Sequence, residues 1–208
     1  MMSILTAAIA IIAAYLLGSI SFAVVVTRAL GIQDPRTYGS GNPGATNVLR
    51  SGSKKAAILT LLFDALKGYI PAVLALWLAP LLGWSAYVVA GVALGAFLGH
   101  LYPVYFQFKG GKGVATAAGI ILGLSPLTGL AILATWLLIA VVFRYSSLAA
   151  LVAAICAPIY YYFIQGYPAS MPILVAIIII VVLMIYRHKQ NIQNLLAHKE
   201  SKIGKKKE

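Results

Sequence analysis

Acid is what this sequence has least of. Asp34 and Asp64 are the only carboxylates before Glu200 and Glu208, against 16 Lys and Arg, which leaves a net charge of +12. With acids so sparse there is no His/Cys/Asp/Glu cluster at metal-ligand spacing and no two-carboxylate site for metal-assisted phosphoryl chemistry, so neither metal nor cofactor is expected. Cysteine is nearly missing too. Cys156 stands alone, so no intramolecular disulfide can form, and with no His or Lys near it in sequence it reads as a buried structural thiol. There is no G-x-S-x-G elbow and no Walker A loop, and no His is followed five residues later by Asp. A serine acyl-enzyme, P-loop phosphate chemistry and the H-x-x-x-x-D acyltransferase motif therefore all drop out. Charged residues make up only 10% of the chain, and they are dispersed among apolar runs, so no soluble basic domain exists to present them to nucleic acid.

What is present is apolar surface. The chain is 62% hydrophobic with a mean hydropathy of +0.94. Runs near the length of a bilayer crossing recur, and stretches such as Ile173 to Ile185 are apolar on every side, which suits helices and not the alternation of a barrel. The expected architecture is an all-α polytopic membrane protein. Its spans fall at about Ser3 to Ala29, Ala56 to Ala79, Trp84 to Phe106, Val114 to Leu124, Leu127 to Phe143, Leu148 to Ile164 and Met171 to Tyr186. Ala79 to Gly83 and Gln165 to Pro168 read as turns. The first span lacks the cationic start of a signal peptide and reads as a retained helix. Val114 to Leu124 is too short to cross upright without help from thinning or from surrounding protein.

Lys and Arg follow spans one, three, five and seven, and none follows spans two, four and six. The positive-inside rule then gives seven crossings, the N-terminus outside and the C-terminus in the cytoplasm, provided the short piece crosses. A five-span arrangement with re-entrant segments is the alternative. Residues 1–197 read as one membrane domain and 198–208 as a basic cytoplasmic tail without chemistry of its own.

On this topology every unusual polar segment faces the cytoplasm. Ser40-Gly41-Asn42-Pro43-Gly44-Ala45-Thr46-Asn47 combines helix breakers with short hydrogen-bonding side chains, and Arg50 follows. Consecutive backbone N–H groups in such a loop can cradle a phosphate, although the same composition also makes ordinary turns. Lys109-Gly110-Gly111-Lys112-Gly113 leads into the short helix, where glycines, lysines and the helix dipole favour an anion, and Thr116 adds a hydroxyl. Asp64, Lys67, Gly68 and Pro71 share one helical face, so Asp64 and Lys67 can pair, as bundle support or as a clamp on the loops. Gly91, Gly95 and Gly99 allow close helix contact. His100 follows them, either a structural group or a base. His188 and Asn191 stand i,i+3 at the end of the last span. A reaction between a lipid-soluble and a cytosolic substrate fits polar groups gathered at one face. A small transporter of an anionic metabolite is the alternative, but it should carry polar groups near mid-membrane.

These segments, together with Leu17-Gly18-Ser19-Ile20, Gly99-His100-Leu101-Tyr102-Pro103 and Tyr186-Arg187-His188, resemble in order the signature blocks of the bacterial acyl-phosphate:glycerol-3-phosphate acyltransferases, the PlsY family. The resemblance implies a seven-span enzyme of the bacterial inner membrane with its site facing the cytoplasm; a monomer is expected. It would move a fatty acyl group from acyl-phosphate to the sn-1 hydroxyl of glycerol-3-phosphate, releasing lysophosphatidic acid and phosphate in the first committed step of phospholipid synthesis. It assigns Ser40, Gly41, Asn42, Gly44, Ala45, Thr46 and Asn47 to acyl-phosphate. Arg50, Lys109, Lys112, Ser147, His188 and Asn191 fall to glycerol-3-phosphate. Ser40, Asn42, Lys112 and His100 would be catalytic, and Asp64 and Lys67 supporting. The general base is left open between His100, His188 and a substrate phosphate oxygen.

Overall fold

The computed structural model describes residues 2–166 and 171–203, and among these all regular structure is helical. The helices are α1 (Met2–Gly18), α2 (Phe22–Ala29), α3 (Ala45–Val48), α4 (Lys54–Leu82), α5 (Ala86–Leu101), α6 (Val114–Leu124), α7 (Pro126–Phe143), α8 (Ser146–Gln165), α9 (Met171–Arg187) and α10 (Lys189–Leu196). Four described helical segments are long and apolar enough to cross a membrane, and two further pairs, α1 with α2 and α9 with α10, bend by 45° and 58° at a break. Tyr167 and Pro168 of the expected turn, and the final lysines, lie outside the described residues.

Two expected boundaries are corrected. The first span is not continuous: the helix stops at Gly18 and restarts at Phe22. The break leaves the Ile20 carbonyl without a helical partner, and the Lys67 Nζ donates to it at 2.7 Å. The same ammonium pairs with Asp64 at 2.7 Å, and Asp64 lies against the Phe22 N–H at the restart. The ion pair thus satisfies frayed backbone inside the apolar bundle, where a lone charge would be costly. The expected turn at Ala79 to Gly83 is also wrong in part. α4 runs through Pro80 to Leu82 and stops only at Gly83, which takes the left-handed conformation at φ 65°. Proline removes one hydrogen bond but does not reverse a chain.

Helix pairs α1–α5 and α4–α6 pack backbone against backbone. A Cβ on Gly99 would collide with the Tyr15 carbonyl, and one on Gly119 with the Ala65 carbonyl. Such contacts depend on small residues, because lipid gives no hydrophobic drive between helices. α6 is eleven residues long, about 16 Å at 1.5 Å per residue. It is enclosed by α4, α5, α7 and α9. Its far end closes on hydroxyls: Ser125 Oγ lies 2.8 Å from Thr128 Oγ1 and accepts from Gln165 Nε2 at 2.8 Å. A short helix is tolerated at membrane depth because protein, not lipid, meets its ends.

Residues 198–203, expected as the start of a free tail, fold back on the bundle. The Ile203 N–H donates to the Arg144 carbonyl at 2.7 Å, and Glu200 reaches Ser147 and Asn191. Cys156 is half-buried on α8, not buried as expected.

Candidate active site

One cavity of about 410 Å³ opens at the cationic end of the bundle and runs down between α6, α7, α8 and α9. Its upper walls are polar, with Ser40, Asn42, Arg50, Lys112, His188 and Asn191 among them. Its lower walls are apolar, formed by Ile121, Trp136, Ala154 and Ile180 with their neighbours.

The loop before α3 is held open by its own side chains. Asn47 is buried, and its Oδ1 accepts the Ser40 N–H at 3.0 Å while Nδ2 donates to the Pro35 carbonyl at 2.7 Å and the Tyr38 carbonyl at 3.2 Å. Its amide is therefore spent on shaping the loop and is not offered to a ligand, which departs from the expectation of a phosphate ligand. Gly41 is left-handed at φ 66° and lies outside the cavity wall. Among the described residues the N–H groups of Ala45 and Thr46, at the start of α3, have no acceptor in the chain, and both residues line the cavity. Such paired donors suit an anion.

The opposite wall is built from segments far apart in sequence. Lys112 Nζ donates to Asn191 Oδ1, across 79 positions. Asn191 Nδ2 donates in turn to Glu200 Oε1 at 2.7 Å, and Ser147 Oγ donates to the same oxygen at 2.6 Å. His188 and Asn191 both line the cavity, with His188 at the bend between α9 and α10. There His188 is buried, with Nδ1 at 2.7 Å from the Met184 carbonyl. That contact requires the proton on Nδ1 and leaves Nε2 as an acceptor in the neutral ring. Burial pulls the Lys112 ammonium below the ordinary lysine range; Glu200 opposes this, and Arg50 and Arg187 add to it.

The glycine loop ahead of α6 is fixed by Arg187. Its guanidinium donates to the Gly110 carbonyl at 2.7 Å and the Gly111 carbonyl at 3.2 Å, and lies over the Tyr102 ring. The Gly111 N–H donates to the His100 carbonyl at 3.2 Å, and a Cβ on Gly111 would strike the His100 ring. His100 is 8% exposed, with Nδ1 at 3.2 Å from Thr116 Oγ1 and 3.8 Å from Asp64 Oδ1. Lys109 is exposed and off the cavity wall. Of the expected site residues the cavity gathers Ser40, Asn42, Gly44, Ala45, Thr46 and Asn47 from the loop side. It gathers Arg50, Asp64, His100, Lys112, Ser147, His188 and Asn191 around the remainder, and leaves out Gly41, Lys67 and Lys109. Sequence reasoning missed Glu200 and Arg187. In the sequence Glu200 is only a lone carboxylate in a basic stretch, and Arg187 has the position of an interfacial cation.

A helical membrane bundle that sets a cluster of cations and amides directly above an apolar cavity is built to bring a charged molecule to a lipid one. The family model for glycerol-3-phosphate acyltransferase matches residues 8–198, and the chain belongs to that family. Among curated relatives it is 64% identical over 94% of its length to the glycerol-3-phosphate acyltransferase of Ralstonia nicotianae, covering 93% of that protein. It is 58% identical over 96% of its length to the one from Burkholderia cenocepacia, covering 92% of it. It also superposes on crystal structures of PlsY, an integral membrane glycerol 3-phosphate acyltransferase. With the glycerol 3-phosphate form the TM-score is 0.87 at 44% identity, and with the lysophosphatidic acid form it is 0.85 at 43%, each covering 96% of both chains. The transporter alternative is set aside by this membership.

Proposed function

We propose that the chain transfers a fatty acyl group from acyl-phosphate to the sn-1 hydroxyl of glycerol-3-phosphate, yielding lysophosphatidic acid and phosphate. The observation that carries this is a cavity whose anion-binding rim continues into an apolar bore. It fits a substrate with a phosphate head and an acyl tail beside a second, wholly polar phosphate. The Ser40 to Thr46 segment takes the donor phosphate through the Ala45 and Thr46 N–H groups and the Ser40, Asn42 and Thr46 side chains, with Asn47 holding the loop in shape. Gly41, left-handed at φ 66°, lets the backbone turn, and the missing side chain of Gly44 leaves room for the Asn42 amide. Arg50, Lys112, Ser147, His188 and Asn191 receive glycerol-3-phosphate, with Lys109 adding charge at the entrance. Asp64 and Lys67 support the broken first span, and His100 backs the glycine loop. The acyl tail enters sideways past Leu133 and Leu137 on α7, which both line the cavity and are partly open to lipid.

The chemistry needs no covalent enzyme intermediate. The sn-1 oxygen attacks the acyl carbonyl carbon, a C–O bond forms, and the acyl carbon to phosphate-oxygen bond breaks as phosphate leaves. The hydroxyl proton passes to a phosphate oxygen of the substrate. Alignment of the two substrates lowers the barrier by reducing the freedom lost in the reaction, and fixed donors receive the charge that builds on carbonyl and leaving phosphate. The positive-inside distribution supports seven crossings, α6 included, with the cationic end and the C-terminus in the cytoplasm of a bacterial inner membrane. Purified protein supplied with palmitoyl-phosphate and labelled glycerol-3-phosphate gives labelled lysophosphatidic acid, and palmitoyl-CoA gives none. Product from the CoA ester alone refutes the donor assignment.

A further inference from the structure

The cavity lining stops partway along each of the four helices that wall its apolar part. On α8 the lining runs Ser147, Ala150, Ala154, Ala157, and the next residue on that face, Tyr161, is outside it and 2% exposed. On α6 the lining stops at Ile121, one turn short of the buried Leu124; on α9 it stops at Ile180, one turn short of the buried Ile177. On α7 it stops at Ile132, above the buried Thr128 that is tied to Ser125. α6 and α8 run away from the cationic end and α7 and α9 run toward it, so on each helix the lining stops on the side away from that end. Leu124, Tyr161 and Ile177 belong to one buried apolar cluster. From Ser147 to Ala157 the helix rises about 15 Å, half of a hydrocarbon core about 30 Å thick. On the α8 side the bore above the floor is lined by the small side chains of Ala150, Ala153, Ala154 and Ala157.

We propose that Leu124, Tyr161 and Ile177 are the floor of the acyl site and that the small side chain of Ala157, just above them, sets the length of acyl chain the enzyme prefers. This rests on the reading that the acyl chain occupies the cavity. A larger residue at 157 raises the floor and a smaller one at 161 lowers it.

The test is a chain-length series of octanoyl, lauroyl, palmitoyl and stearoyl donors, run both as acyl-phosphates and as CoA esters. It uses the wild-type protein and the Ala157→Val, Ala157→Phe and Tyr161→Ala variants. Exclusion of two methylenes corresponds to about tenfold, so the palmitoyl-to-octanoyl ratio of kcat/KM falls by about tenfold or more in Ala157→Phe and by less in Ala157→Val. The KM for glycerol-3-phosphate stays at the wild-type value in both. Tyr161→Ala moves the ratio toward stearoyl. Ala157 variants that turn over at the wild-type ratio overturn the floor. Wild-type transfer from CoA esters alone overturns the donor assignment, while the ratio in that series still decides the floor. No product from either series overturns both.

Discussion

The proposed acceptor side of the site depends most directly on Lys112. Its ammonium reaches the cavity from the loop before α6 and is anchored by Asn191 on α10. A hydrogen bond to a charged group contributes about 1.5–3 kcal/mol net. At about 1.4 kcal/mol per decade, Lys112→Ala therefore costs about 10- to 150-fold in kcat/KM for glycerol-3-phosphate. Lys112→Arg keeps the charge and loses less. The pH dependence gives an independent check. Burial, the largest influence, already pulls the Lys112 pKa below the ordinary lysine value of 10.5. The protonated form binds phosphate and is the form present below the pKa. On this role, affinity for glycerol-3-phosphate is full below the Lys112 pKa and falls as pH rises through it, at a lower pH than an ordinary lysine would allow. In Lys112→Arg this alkaline limb disappears, because guanidinium keeps its proton. Steady-state kinetics with purified protein in detergent, varying glycerol-3-phosphate at each pH, measures both effects. Near-normal kinetics in Lys112→Ala, or an identical alkaline limb in wild type and Lys112→Arg, would refute the role given to this ammonium.

Arg187→Gln removes the guanidinium that holds the Gly110 and Gly111 carbonyls, and the KM for glycerol-3-phosphate should rise by about tenfold as the Lys112 loop loses its anchor; an unchanged KM would show that the loop keeps its shape unaided. Removing one member of the buried Asp64–Lys67 pair leaves an uncompensated charge worth about 3–5 kcal/mol. Asp64→Asn and Lys67→Met should each lower the unfolding temperature in detergent markedly, with the double variant recovering part of the loss. A double variant as unstable as the sum of the two singles would mean the charges do not act as a pair.

Local composition determined the helices, because an apolar run has to satisfy its own backbone in lipid whatever lies beside it. Val114 to Leu124 was legible as a short helix with these limits, and the spacing of Asp64 and Lys67 already allowed their pairing. The glycine-rich and lysine-rich segments were legible as breaks between apolar spans, with a composition that suits an anion and an ordinary turn alike. Other features were decided only by packing. The break after Gly18 exists together with a lysine 47 positions away that takes the freed Ile20 carbonyl. Asn47 has the chemistry of a ligand and became the loop's internal brace because Pro35 and Tyr38 fold over it. Glu200 belongs by composition to a tail and became the partner of Ser147 and Asn191. A residue's neighbours along the chain set its conformational preference and its affinity for lipid. Which donor meets which acceptor across 79 positions is set by how the helices cross, and small residues such as Gly99 and Gly119 fix those crossings by where they let two backbones touch.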